Sequence, residues 1–171
     1  MAKKKSKISL GKLVLTIVAI VLSVAICLPL FVNVWNMVTT IGNTSNASEL
    51  GGYFDDYSSI TTVFKLADAT FMDWASMIAG IALIVAIVGA VLYIVGAVMS
   101  LVSTNKLASG LTKIGAFVML LAGIVILVAS LLFVLPATSQ GSLSATLGFG
   151  GWVGIIAPIG AGIVGMMANK K

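Results

Sequence analysis

Apolar residues in this chain are gathered into four long runs, Leu13–Val32, Trp74–Val102, Ile114–Leu135 and Leu147–Ala168, separated by short polar stretches. A helix needs about 20 apolar residues to cross a hydrocarbon core, and each run meets that length. The third and fourth runs share one uncharged stretch, too long for a single span, which Pro136-Ala137-Thr138-Ser139-Gln140-Gly141-Ser142 divides. Proline, glycine and hydroxyl residues in that density predict a turn. The pattern therefore predicts an all-α membrane protein: an antiparallel four-helix bundle forming a single membrane domain over residues 1–171. Non-spanning pieces are expected at 33–73, 103–113 and 136–146.

Small residues recur along the runs at helical spacing. In the fourth, Gly150, Gly154, Pro158 and Gly162 stand four apart, and Ala157, Ala161 and Gly165 form a neighbouring row. Such rows let helix backbones approach closely in lipid, where no hydrophobic force drives helices together. They are the candidate helix-packing residues. Pro158 lacks an N–H and crowds the preceding turn, so a kink is expected to begin near Gly154. Gly89 and Gly96 in the second run, and Gly115, Ala122 and Ala129 in the third, supply a seam on each of those helices.

The 33–73 segment is the longest non-spanning piece. Its first part, Asn33 to Gly52, reads as loop or short strand, with turn signals at Gly42-Asn43 and Gly51-Gly52. From Ile60 onward, Ile60, Phe64, Ala67, Phe71 and Trp74 recur at steps of four and three, one face of a helix leading into the second span. Lys65 and Asp68 fall opposite that face, three apart and able to pair. Trp35, Tyr53, Phe54, Asp55, Asp56 and Tyr57 form a candidate contact surface, aromatic and acidic together. Asn43-Thr44-Ser45 and Asn46-Ala47-Ser48 match the glycosylation sequon, which makes Asn43 and Asn46 candidate acceptors in an organism that glycosylates. Asp55 and Asp56 with nearby Glu49 offer hard oxygens, yet the spacing of a calcium loop is absent, so a solvated acidic surface is the preferred reading and no metal is assigned.

Composition excludes the alternatives to a membrane protein. Of 171 residues 60% are hydrophobic and 9% charged, against about 25% charged residues in soluble domains. A disordered chain would need the opposite balance. The net charge of +5 comes from ten lysines and five acids, with no arginine or histidine. Nine of the lysines flank the ends of runs on the side that holds both termini and the 103–113 loop. All five acids lie in 33–73 beside the lone Lys65, a net −4. Lysine-rich flanks mark the cytoplasmic side, so both termini and an inner loop are expected there, with 33–73 and the 136–146 turn outside. Trp35, Trp74 and Trp152 near the outer helix ends agree with this, because indole rings favour the headgroup zone. The expected location is the cell membrane, as a multi-pass protein with cytoplasmic termini. Nucleic acid is not an expected partner: the positive charge is spread over three membrane-flanking segments and forms no folded patch.

The first run exceeds the apolar core of a cleavable signal and no clean small-x-small site follows it, so it is expected to remain. Cys27 is the only cysteine and reads as a small packing residue.

None of the four runs contains Asp, Glu, Lys, Arg or His. Proton relays, voltage sensors and many coupled transporters place such groups in the bilayer. The glycine clusters resemble those of rotary-ATPase ring subunits only superficially, for the essential carboxylate is missing. They also lack the strand-turn-helix context of a dinucleotide site. With no histidine and no nucleophile-base spacing, neither an enzyme nor a cofactor is expected. Two function classes remain. One is a structural, adhesion-like or complex-assembly protein whose partners are lipid, other membrane proteins or further copies of itself. The alternative is a small channel or transporter subunit acting as an oligomer, lined by the few polar side chains available: Thr16, Ser23, Asn36, Ser100 and Ser130. Hydroxyls inside a lone bundle more often bond a neighbouring carbonyl.

The order of a first large outer loop, a short lysine-bearing inner loop, a small second outer loop and a glycine-rich fourth helix resembles the claudin and peripheral myelin protein tetraspans. Leu121-Ala122-Gly123 in the third run and Gly151-Trp152 at the fourth are similar in wording. The resemblance implies a tetraspan topology with cytoplasmic ends. Claudins also carry Gly-Leu-Trp and a cysteine pair after the first-loop tryptophan; here Trp35 is present and the rest is missing. The resemblance therefore carries no site residue, and offers no ground of its own for the strand-based outer domain or paracellular role of claudins.

Overall fold

The computed structural model describes residues 9–32, 34–41, 44–50, 71–102, 106–139 and 143–169. Four helices account for most of them: α1 (Leu10–Ala25), α2 (Phe71–Val102), α3 (Lys106–Ser139) and α4 (Phe149–Ala168). Three strands, β1 (Trp35–Ile41), β2 (Thr44–Leu50) and β3 (Leu143–Leu147), form one antiparallel sheet in the order β2-β1-β3.

Local chemistry sets the helix ends. The Ser9 side chain caps α1 by accepting from the Lys12 N–H at 3.3 Å. Pro29 ends the α-helical ladder, since it cannot donate to the carbonyl four residues back, and the chain tightens into a 3-10 turn at Leu28–Leu30. Two boundaries differ from the sequence-based expectation. The 103–113 piece is mostly helix, because α3 begins at Lys106 and carries Lys106 and Lys113 exposed on its first turns. Ala108 and Thr112 are buried there, and a Cβ at Gly96 would meet the Ala108 carbonyl at 2.9 Å and the Thr112 nitrogen at 2.7 Å. That close contact extends the helix beyond the apolar run. At the other end α3 continues through Pro136 to Ser139, and part of the 136–146 turn is β3. The fixed φ of proline suits a helix, and a membrane helix tolerates the one lost backbone bond.

All adjacent helices are antiparallel. α2 packs against α3 along most of its length, α3 against α4, and α4 against α1, while α1 and α2 meet over a smaller area. The core is inverted relative to a soluble bundle. Its buried apolar side chains are mostly alanine, with Ile26, Leu83, Tyr93 and Met119 among the few large ones. Large apolar residues point outward instead, including Ile17, Val21, Ile84, Val88, Val91, Val128 and Ile156. Buried small residues and an exposed branched-aliphatic exterior suit a bundle solvated by lipid. The spans Leu10–Leu30, Met77–Ser100, Lys106–Leu132 and Phe149–Ala168 are each long and apolar enough to cross a bilayer. The chain is a multi-pass membrane protein.

On α2 the seam follows Ala75, Ala79, Ala82, Ala86, Tyr93 and Ala97, all buried, at spacings close to 3.5 residues. α3 is 34 residues long, roughly 50 Å at helical rise, against about 30 Å of hydrocarbon. Its ends therefore project, and the sheet lies at the end of the bundle opposite the start of α1 and the last turn of α4. β1 follows α1 by way of Val34, and β3 leads through Gly148 into α4. The sheet is thus built from both connections at that end.

Val38, Thr39, Thr40 and Ile41 give β1 the β-branched content that favours a strand, whereas β2 (TSNASEL) has little of its own and is held by pairing. The two residues between them, Gly42-Asn43, are of the type two-residue hairpins use. Val38 lies opposite Ala47 on β2 and Ser144 on β3. In a Cys27→Ala background, Val38→Cys with Ala47→Cys, and separately with Ser144→Cys, is expected to oxidise to a disulfide. Opposed residues stand about 4.5–5.5 Å apart, within reach of the bond. Peptide mass mapping reads the result, and Val38→Cys with Asn46→Cys, one step out of register, should stay reduced.

Candidate functional site

A joint of backbone and glycine holds the sheet on the bundle. The Gly148 N–H donates to the Val34 carbonyl at 2.9 Å, one step beyond the Trp35–Leu147 pair, so the ladder between β1 and β3 runs to the cap of α4. A Cβ at Gly151 would lie 2.5 Å from that same carbonyl, and one at Gly154 would touch Pro29 Cγ at 3.2 Å. The first turn of α4 is thereby wedged between the α1–β1 junction and β3. Phe31, Phe149 and Trp152 are exposed around the joint, an aromatic ring of the kind that marks a membrane–water boundary.

Further along α4 the small residues separate by neighbour. Gly154 and Gly160 face Pro29 and Leu22 on the α1 side, whereas Gly162 faces Leu120 and the Ala116 carbonyl of α3, at 2.7 and 2.8 Å from a Cβ placed there. A row four apart drifts by about 40° per step in a helix of 3.6 residues per turn, so the row beginning at Gly150 winds from one neighbour to the next. Gly150, Gly154, Ala157, Pro158, Ala161, Gly162 and Gly165 are all buried. Gly165 sits under the Tyr93 ring, 2.8 Å from its Cε2 to a notional Cβ. α4 is continuous through Pro158, whose ring lies against Gly123 of α3.

Polar side chains on the helices bond backbone carbonyls, and some of them tie neighbouring helices together. Ser23 donates to the Ala19 carbonyl at 2.7 Å and approaches Met119 Sδ at 3.4 Å. Thr16 donates to the Lys12 carbonyl at 2.8 Å and shares a side-chain hydrogen bond with Tyr93 across the α1–α2 boundary. Ser100 bonds the Ala97 carbonyl at 2.7 Å. At the terminal end Thr112 donates to Asn169 Oδ1 at 3.0 Å while Asn169 Nδ2 donates to the Gly165 carbonyl at 2.8 Å, tying α3 to the last turn of α4. Membrane-buried bonds of this kind contribute about 0.6 kcal/mol on average. Tyr93→Phe and Thr112→Val are each expected to lower unfolding stability by about that amount and no more than about 1.7 kcal/mol, measured by titrating the protein in mixed micelles with a denaturing detergent.

Of the candidate contact surface, Trp35 stands at the start of β1, paired with Leu50 and Leu147. Tyr53, Phe54, Asp55, Asp56 and Tyr57 lie outside the described residues, as do Asn43 and the helical face from Ile60 through Ala67. Asn46 is on β2 opposite Thr39, Asn36 on β1 opposite Glu49 and Thr146. Tyr93, Thr112 and Asn169 were not singled out by spacing. Their signal is faint but present: a tyrosine among alanines on a helical seam must find a partner for its hydroxyl when buried. Comparison with protein-family models and with curated proteins finds no match to this chain.

Proposed function

We propose that this protein is a non-enzymatic tetraspan of the cell membrane whose bundle is a scaffold and whose sheet is a contact platform, in a structural, adhesion-like or complex-assembly role. The observation that carries this reading is the sheet itself. Both connections at one end of the bundle contribute strands to a single three-stranded layer fixed to α4 through Val34 and Gly148. β1 is central, and among the described strands β2 and β3 are the edges. Edge strands present unpaired backbone groups that can add a strand of a partner. Nine lysines beside the opposite end support cytoplasmic termini and an outward sheet.

The channel reading draws no comparable support, since Thr16, Ser23 and Ser100 each bond a carbonyl of their own helix. Purified protein in liposomes is expected to leak ions and small solutes no faster than protein-free vesicles. A photo-cross-linker placed at Ser48 on β2 is expected to give a discrete larger product in intact cells, a second copy or one partner. Flux above the empty vesicles would overturn the scaffold reading in favour of a channel.

A further inference from the structure

Beneath the sheet, between the α1–β1 junction, α3 and the first turn of α4, lies a cavity with a water-accessible volume of about 10 Å³, lined by Val34, Ser130, Gly150, Gly151 and apolar walls including Leu83 and Ile126. Its polar lining is unusual for the interior of this bundle. Ser130 is 3% exposed, and its hydroxyl, unlike those of Ser23, Ser100 and Thr112, makes no hydrogen bond to any described residue. α4 begins on Gly148, which has no side chain to cap it, and its first intrahelical bond is made by Trp152. The N–H groups of Gly150 and Gly151 therefore have no carbonyl to reach, although both residues are buried. The Val34 carbonyl accepts from Gly148 and has a second lone pair.

We propose that this cavity is a binding site for one water molecule, held by the first-turn N–H groups of α4, the Ser130 hydroxyl and the Val34 carbonyl. The volume is that of a single water. The chemistry closes as well: water accepts two hydrogen bonds and donates two, which matches two glycine donors, one carbonyl and a hydroxyl able to do either. A buried polar group without a partner is costly, and here several converge on one water-sized space. An anion is disfavoured, because no lysine lines the site. The bound water joins the α1–β1 junction, α3 and α4 at the point where the sheet is attached, and stands independently of the proposed role.

The test uses the whole chain, isotope-labelled, in lipid bilayers. Magnetisation transfer from water is expected to reach the Gly150 and Gly151 amides while neighbouring buried amides such as Ile155 stay dark. Ser130→Val fills the space with methyl groups, and is expected to abolish both signals and lower the thermal midpoint. Absence of water contact at both glycines in the wild-type protein would overturn the proposal without recourse to any variant. Signals of unchanged intensity in a folded Ser130→Val protein would overturn it too.

Discussion

Gly115→Ala is expected to destabilise the bundle by about 2–3 kcal/mol, the upper part of the range for an overpacked core. A methyl group at Gly115 meets the Tyr93 nitrogen at 2.5 Å, the Gly89 carbonyl at 2.6 Å and the Tyr93 Cα at 2.9 Å. These are backbone atoms of α2, so relief requires the two helices to separate. Separation would disturb more than one contact, because Tyr93 on the same stretch packs over Gly165 of α4 and bonds Thr16 of α1. Gly110→Ala is the control. It lies on the same helix with nothing within 4 Å of its notional Cβ, and should be neutral or stabilising by up to about 1 kcal/mol through helix propensity. Unfolding titrations of the two variants decide it. Equal behaviour would mean that α2 and α3 are not packed through this seam.

Gly151→Val should act on the sheet and leave most of the bundle intact. The position is 2.5 Å from the Val34 carbonyl by its notional Cβ and 2.8 Å from Leu147 Cδ2, so a branched side chain forces α4 away from the α1–β1 junction and strains the Gly148–Val34 bond. Overpacking by about 2–3 kcal/mol translates into opening of the β1–β3 ladder about 30- to 150-fold more often. Amide exchange in β1 and β3 is expected to accelerate by that factor, while α2 and α3 amides near Ala86 and Met119 keep their protection. Uniform acceleration would show that sheet and bundle open as one unit.

How much of this was legible in the sequence depends on the scale of the signal. Four apolar runs and the small-residue rows are long, repeated patterns, and the helices with their alanine and glycine seams follow from them. Boundaries were harder. Lys106 and Lys113 read as loop because they are charged, yet Ala108 and Thr112 between them belong to the seam that meets Gly96. Pro136 read as a turn, but near the end of a helix its missing N–H removes one bond and does not end the ladder. Residues such as Ser45 to Glu49 have weak strand propensity, and what makes β2 a strand is the facing row of β1, which no local reading contains. The joint was hidden for a similar reason. Gly151 and Val34 are far apart along the chain, and nothing in either neighbourhood announces that a carbonyl of one occupies the space a side chain of the other would need.

The proposed platform depends on orientation, since it is useful only on the side where a partner could meet it. In a Cys27→Ala background, Ser45→Cys on β2 and Lys113→Cys on α3 are to be treated with a membrane-impermeant maleimide in intact cells. The account predicts that Ser45→Cys is labelled at once and Lys113→Cys only after the membrane is opened. Labelling of Lys113→Cys in intact cells, with Ser45→Cys protected, would contradict it.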